Sequence, residues 1–232
     1  YRHPDYQGET DDRCQALAVV SGIADSTKYP ALLETFKTEE HASPYMEKYV
    51  MEALFQMGYA DYAIERMKKR FGAMVNHPDY TTLFEGWGIG AEGYGGGTVN
   101  HAWSGGALTI LSQYLCGIAP IKPGYEVFQI VPNPGPVKTA SATVQSVKGI
   151  ITSCFENSEH RFKLTVTIPS GTQAIIGIPA DKTIQIKLNG VPIWKKEIVI
   201  GHHPVAQFSA QTDRHILFRI DPGDFVFEAS RP

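Results

Sequence analysis

Six residues in one short stretch could do chemistry together: Glu85, Trp87, Glu92, Tyr94, His101 and Trp103, all within TTLFEGWGIGAEGYGGGTVNHAWSGG at 81–106. A carboxylate can take a proton from an attacking water. Aromatic faces suit the C–H faces of a sugar, and their edges keep water out. Glycine lets a backbone fold tightly and leaves room for a ligand. A long aromatic loop inside a compact domain is usually a working part of it. By residue type this is carbohydrate chemistry, with Glu85 beside Trp87 its strongest pair. Trp103 also fits the apolar stripe of a helix core.

Other chemistries fit poorly. GYGGGT has no following Lys and does not sit between a strand and a helix, so it is not a phosphate loop. No HExxH occurs, and adjacent His202 and His203 would face opposite sides of a strand. Ser104 lies in WSGG rather than in a nucleophile elbow. Cys14, Cys116 and Cys154 are widely spaced and read as free thiols, not as a zinc site. A net charge of -3 gives no basic footprint for nucleic acid. No apolar run approaches the ~18 residues of a membrane span. No cofactor or metal is expected.

These residues must be held by the elements around them, and the chain changes character along its length. The first half reads helical. Asp11 and Asp12 offer an N-cap before Ala16, Leu17, Val20, Ile23 and Ala24 at helical spacing. Thr27 and Pro30 open a short helix with the face Leu32, Leu33 and Phe36. Met46, Val50, Ala53, Leu54 and Met57 form a third stripe that Gly58 closes. A fourth helix restarts at Asp61 with Ile64, Met67, Phe71 and Met74, and its cations Arg66, Lys68, Lys69 and Arg70 read as a solvated face. A last helix is expected from about Ala102 to Cys116, with Trp103, Ala107, Ile110, Leu111, Tyr114 and Leu115 on its face. Short connections make neighbouring helices antiparallel, as in a helical toroid.

From Ala140 onward the period becomes two, with turn signals at Asn157-Ser158, Ser170-Gly171, Asn189-Gly190 and Pro222-Gly223. About seven to eight antiparallel strands are expected, forming a sandwich. The expected domains are 1–135, helical, and 136–232, the β-sandwich.

At these residues the chain resembles the α-L-rhamnosidases of glycoside hydrolase family 78. The likeness rests on SPYMEKYVMEALFQMGYADYAIERM, on TTLFEGW, and on TVNHAWSGGALTILSQYLCGIAPIKPGYEVFQIVPNP. In the second of these, Phe84 stands where the family has Trp before the Glu. The resemblance implies a six-hairpin (α/α)6 barrel, here only its second half, followed by an antiparallel β-sandwich. It implies a bacterial, inverting enzyme that removes terminal α-L-rhamnose. Glu85 is then the general base, and Trp87, His101, Trp103 and Tyr94 contact the sugar. In such a mechanism a second carboxylic acid protonates the leaving oxygen, about 6.5–9.5 Å from the base. That acid falls upstream of Tyr1, so the missing N-terminal part of the protein is an expected partner, and the isolated chain is expected to be inactive. A periplasmic or secreted location is implied by the same likeness. Two rival readings remain open: another (α/α)6 carbohydrate hydrolase or lyase, and a non-catalytic carbohydrate-binding or structural module.

Overall fold

The computed structural model describes residues 1, 3–89, 97–201 and 203–232. Glu92, Tyr94 and His202 lie outside the described residues. Two compact units divide the chain between Ile110 and Leu111.

In the first unit, α1 (Asp12–Val20) starts where Asp11 accepts the Arg13 N–H, as an N-cap carboxylate does. Its buried face is the expected one only in part. Ala16 is buried as expected, with Ala18 and Val19, whereas Leu17 is 45% exposed; the helix ends at Val20, beyond which Ala24 is buried and Ile23 is 69% exposed. Small residues let α1 lie close against α3 (Pro44–Met57), so the larger apolar groups turn outward. Pro30 sits in the first turn of α2 (Tyr29–Thr38), which buries Leu32 and Phe36. Ser43 caps α3, and Pro44 opens it. Gly58 ends it at φ 93°, a left-handed position that favours glycine. The two-residue link to α4 (Ala60–Val75) turns the chain back, so α3 and α4 pack on each other.

The cationic run of α4 is not a solvated face. Arg66 is 1% exposed at the centre of the unit. Its Nη2 meets Asp12 Oδ2 at 2.7 Å, and its Nε meets Glu47 Oε1 at 2.5 Å. Nη1 donates to the carbonyls of Phe36 and Glu39. One guanidinium thus ties α1, α2, α3 and α4 together. Burial works against its charge, but Glu47 and Asp12 outweigh burial and hold Arg66 above its ordinary value. Burial likewise pushes the Glu47 carboxyl up, against the pull of Arg66. Arg70, one turn on, spans Glu40 and the carbonyls of Glu40 and Ala42. Lys68 and Lys69 are exposed, as expected.

The expected fifth helix is broken into three kinds of turn. A 3₁₀ segment, Ala102–Gly105, leads into α5 (Gly106–Ile110), and a π-helical turn, Leu111–Leu115, opens the second unit. Of its expected face, Ile110 and Leu115 are buried. Trp103 is 41% exposed and so is not a core residue.

The second unit is built from strands β1 (Ile118–Pro120), β2 (Val127–Ile130), β3 (Thr139–Ser146), β4 (Gly149–Asn157), β5 (Arg161–Ile168), β6 (Gln173–Pro179), β7 (Gln185–Leu188), β8 (Val191–Lys195), β9 (Ile198–Val199), β10 (Ala206–Gln211), β11 (His215–Ile220) and β12 (Gly223–Ser230). One sheet has the order β1-β2-β6-β11-β10, and the other β3-β4-β5-β12-β7-β8-β9. Ten of these strands begin at or after Thr139, more than the seven or eight expected, because short β8 and β9 add to the edge. Alternate residues fill the space between the sheets, among them Phe162, Leu164, Val166 and Ile168 of β5. Phe218 and Phe227, one from each sheet, meet there with ring centroids 6.4 Å apart. This is a β-sandwich.

Two features differ from expectation. Among the described residues, all strand pairings are antiparallel except β2 with β6, which is parallel. That pairing recruits residues before 135 into the sheet, so the compact unit starts upstream of the expected boundary. Asn189 and Gly190 form the expected hairpin turn, with φ 47° and 82°. Lys196 and Glu197 make the same kind of turn between β8 and β9 without any glycine, at φ 48° and 67°.

His215 of β11 is buried, and its Nε2–H donates to the Pro132 carbonyl at 2.9 Å. Burial lowers its pKa, the Pro132 bond opposes that, and nearby Arg214 adds to the lowering. The unfolded chain therefore takes up this proton before the folded one does. The stability His215 contributes is present above about pH 6.5 and is lost as pH falls through the depressed folded value. Unfolding free energies from denaturant titrations between pH 7 and pH 5 should fall in the wild type by up to about 1.4 kcal/mol per pH unit from this group. His215→Gln should lack that component. An identical pH dependence in both would refute it.

Candidate active site

The stretch at 81–106 is a folded-back loop whose described arms pair. The Glu85 N–H donates to Thr98 O and the His101 N–H to Leu83 O, both at 2.9 Å. Thr82 also donates its hydroxyl to Val99 O. This ladder brings residues that are far apart in sequence to one place. Glu85 comes from the first arm, and Thr98, His101 and Trp103 come from the second or just after it.

Below the arms an aromatic cluster supports them. Phe84 is buried against His77 and Tyr80, at ring separations of 5.4 and 5.9 Å. The fully buried Ser104 donates its hydroxyl to Phe84 O. Trp103 Nε1 donates to Glu85 O at 3.1 Å, so the backbone on both sides of the carboxylate is pinned from the second arm.

The Glu85 side chain is 28% exposed. Its Oε2 accepts the Thr98 N–H at 3.0 Å and lies 3.4 Å from the Thr98 hydroxyl. His101 Nδ1 stands 4.0 Å from the same oxygen and 3.2 Å from Thr98 Oγ1. Among the described residues, Oε1 accepts no hydrogen bond. A carboxylate fixed by one oxygen and open at the other can orient and deprotonate a water.

The expected sugar-contacting residues separate into two groups. His101 and Trp103 stand with Glu85, their rings 4.5 Å apart. Trp103 also stacks on Tyr45 of α3 at 5.5 Å and 29°. Trp87 is set differently. Its Nε1 donates to Ala42 O at 2.8 Å, its face carries the Arg70 guanidinium at 4.2 Å, and Phe71 meets it edge-on at 5.1 Å. Half-buried, Trp87 anchors the first arm to α4 and to the turn before α3. Tyr94 lies outside the described residues. Among them, no group of three or more His, Cys, Asp or Glu could hold a metal ion.

Residue types alone do not single out Thr98, Tyr45 or Ser104. The spacing Thr-x-x-His was the one available signal for Thr98, since a hydroxyl and an imidazole three apart can meet on a turn. Tyr45 is indistinguishable in sequence from a helix surface residue.

Residues 117–191 match the family described as the bacterial alpha-L-rhamnosidase C-terminal domain. An alpha-L-rhamnosidase of Formosa agariphila is 32% identical over 115 residues, which is 47% of this chain and 12% of that protein. One of Streptomyces avermitilis is 29% identical over 142 residues, 57% of this chain and 14% of that protein. The chain thus spans about an eighth of the length of these relatives. Among solved structures, the alpha-L-rhamnosidase of Dictyoglumus thermophilum shares the fold over 96% of this chain and 25% of its own, with TM-score 0.81 and 19% identity. The Streptomyces avermitilis alpha-L-rhamnosidase complexed with L-rhamnose does so over 98% of this chain and 22% of its own, with TM-score 0.77 and 20% identity. The resemblance to α-L-rhamnosidases read from the sequence therefore stands, and residues 117–191 are similar to their C-terminal domain. No helix among the described residues is long and apolar enough to cross a membrane.

The Ser104 hydroxyl is the one described donor to the buried Phe84 carbonyl. Ser104→Ala should destabilise the helical unit by about 1–3 kcal/mol, because it leaves that carbonyl without a partner. Urea unfolding together with amide exchange at Glu85 reads this. Unchanged stability with unchanged exchange would show that Ser104 does not hold the loop.

Proposed function

We propose that this chain is the C-terminal part of an inverting glycoside hydrolase that removes terminal α-L-rhamnose from rhamnosides. Glu85 is the general base. Water bound at Oε1 loses a proton to the carboxylate as it attacks the anomeric carbon. His101 and Trp103 hold the sugar beside it, with Tyr94 on the same loop. Trp87 acts by seating the loop, and any contact it makes with sugar is through its exposed part. The general acid, which must protonate the leaving oxygen from the opposite side, comes from a part of the protein upstream of Tyr1. The helical unit supplies the second half of an (α/α)6 barrel, and the sandwich follows it. A periplasmic or extracellular bacterial setting fits such a substrate.

The observation that carries this reading is the environment of Glu85. Among the described residues, Oε2 is held by Thr98 and Oε1 accepts no hydrogen bond, and the group stands beside an imidazole and an indole in partial exposure. The family and fold likeness supports the substrate class.

In the full-length enzyme, Glu85→Gln should lower kcat on an aryl α-L-rhamnoside by about 10²–10⁴-fold. L-rhamnose binding should persist, because the amide preserves the shape. Near-normal turnover would remove Glu85 from the role of base.

A further inference from the structure

Thr98 sits between the two groups that the proposed reaction needs, and it touches both. Its backbone N–H donates to Glu85 Oε2 at 3.0 Å. Its hydroxyl oxygen is 3.4 Å from the same Oε2 and 3.2 Å from His101 Nδ1. The direct gap between Oε2 and Nδ1 is 4.0 Å, beyond a hydrogen bond. Glu85 and His101 therefore communicate through this hydroxyl.

A threonine hydroxyl has one proton to give and lone pairs to receive. An ionised carboxylate can only accept. If the hydroxyl proton points to Oε2, the imidazole must supply the proton on its own bond, so Nδ1 carries hydrogen and Nε2 does not. The reverse arrangement would turn the hydroxyl lone pairs toward a carboxylate oxygen and leave that contact repulsive.

We propose that Thr98 is a positioning residue that fixes the Nδ1–H tautomer of His101 and the rotamer of Glu85 through one bridging hydroxyl. Its consequence is a defined polarity at the site. Nε2, which receives no hydrogen bond from the described residues, is an acceptor for a hydroxyl of the sugar. Glu85 is held by Oε2, and Oε1, which accepts no hydrogen bond from the described residues, is left for water. One residue thus sets the facing direction of the base and the hydrogen-bond sense of its neighbour. The inference rests on Glu85 as the base for its catalytic meaning, but the tautomer it assigns does not.

Four variants and two readouts test it. Long-range proton–nitrogen spectra of the nitrogen-labelled chain, with the His101 signals identified by their loss in His101→Gln, report which ring nitrogen is protonated. Nδ1–H is expected in the wild type and in Thr98→Ser. In Thr98→Val, which keeps the backbone N–H but lacks the hydroxyl, the ring should shift to Nε2–H. In the full-length enzyme Thr98→Val should lower kcat by about 10²-fold, and Thr98→Ser should restore it. Nε2–H in the wild type, or a tautomer unmoved by Thr98→Val, overturns the bridge. Normal kcat in Thr98→Val while Glu85→Gln is inactive overturns the positioning role and leaves the base in place. An active Glu85→Gln enzyme overturns the base, and the spectra still decide the bridge.

Discussion

Arg66 is the group on which the helical unit depends. Its guanidinium reaches Asp12, Glu47 and the carbonyls of Phe36 and Glu39, and Arg66 is buried among them. A buried ion pair of this kind adds little net stability over an apolar core, because desolvation offsets attraction. Its effect here is geometric. Five hydrogen-bonding groups in a fixed planar fork can be satisfied by one arrangement of α1, α2, α3 and α4. From that arrangement the site follows. Arg70, one turn along α4, donates to Ala42 O and lies over Trp87, and Trp87 donates to the same carbonyl. The loop carrying Glu85 is therefore seated on a turn whose position is set by the Arg66 cluster.

The chemistry itself is assembled by backbone pairing. Glu85 and His101 are far apart along the chain, and the two N–H bonds between the arms bring them within reach. The aromatic cluster of His77, Tyr80 and Phe84 lies below the arms. The exposed Trp103, stacked on Tyr45 and set against His101, then forms one wall beside the carboxylate. Rigid support and an open face are both required. The first comes from Phe84 and Ser104, the second from residues that would otherwise be buried.

What could be read from the sequence follows from the range of the forces involved. Asp11 and Gly58 act within one turn, and each caps the helix it was expected to cap. The alternation of β5 and β12 is also local, and it marks the sandwich core correctly. Glu85, His101 and Trp103 stood out because their types are unusual on a glycine-rich loop. Arg66 did not, because a cation among lysines looks solvated. Its burial is decided by Asp12, 54 residues away, and Glu47, 19 residues away. The parallel pairing of β2 with β6 was hidden for the same reason, and with it the early start of the sheet unit. Trp87 also makes a contact that residue type did not announce, its N–H holding the Ala42 carbonyl of the scaffold.

The measurement that bears most directly on this account is amide hydrogen exchange at Glu85 and His101, the two N–H groups that close the arms, in the wild type and in Arg66→Met. Removing one partner of a buried charge cluster costs about 3–5 kcal/mol. If the cluster sets the site, protection at both amides should fall by about 10²–10³-fold or more, in step with the amides of α3 and α4. Loss of protection in the helices with Glu85 and His101 unchanged would show that the loop holds its own shape, and that Arg66 is not its foundation.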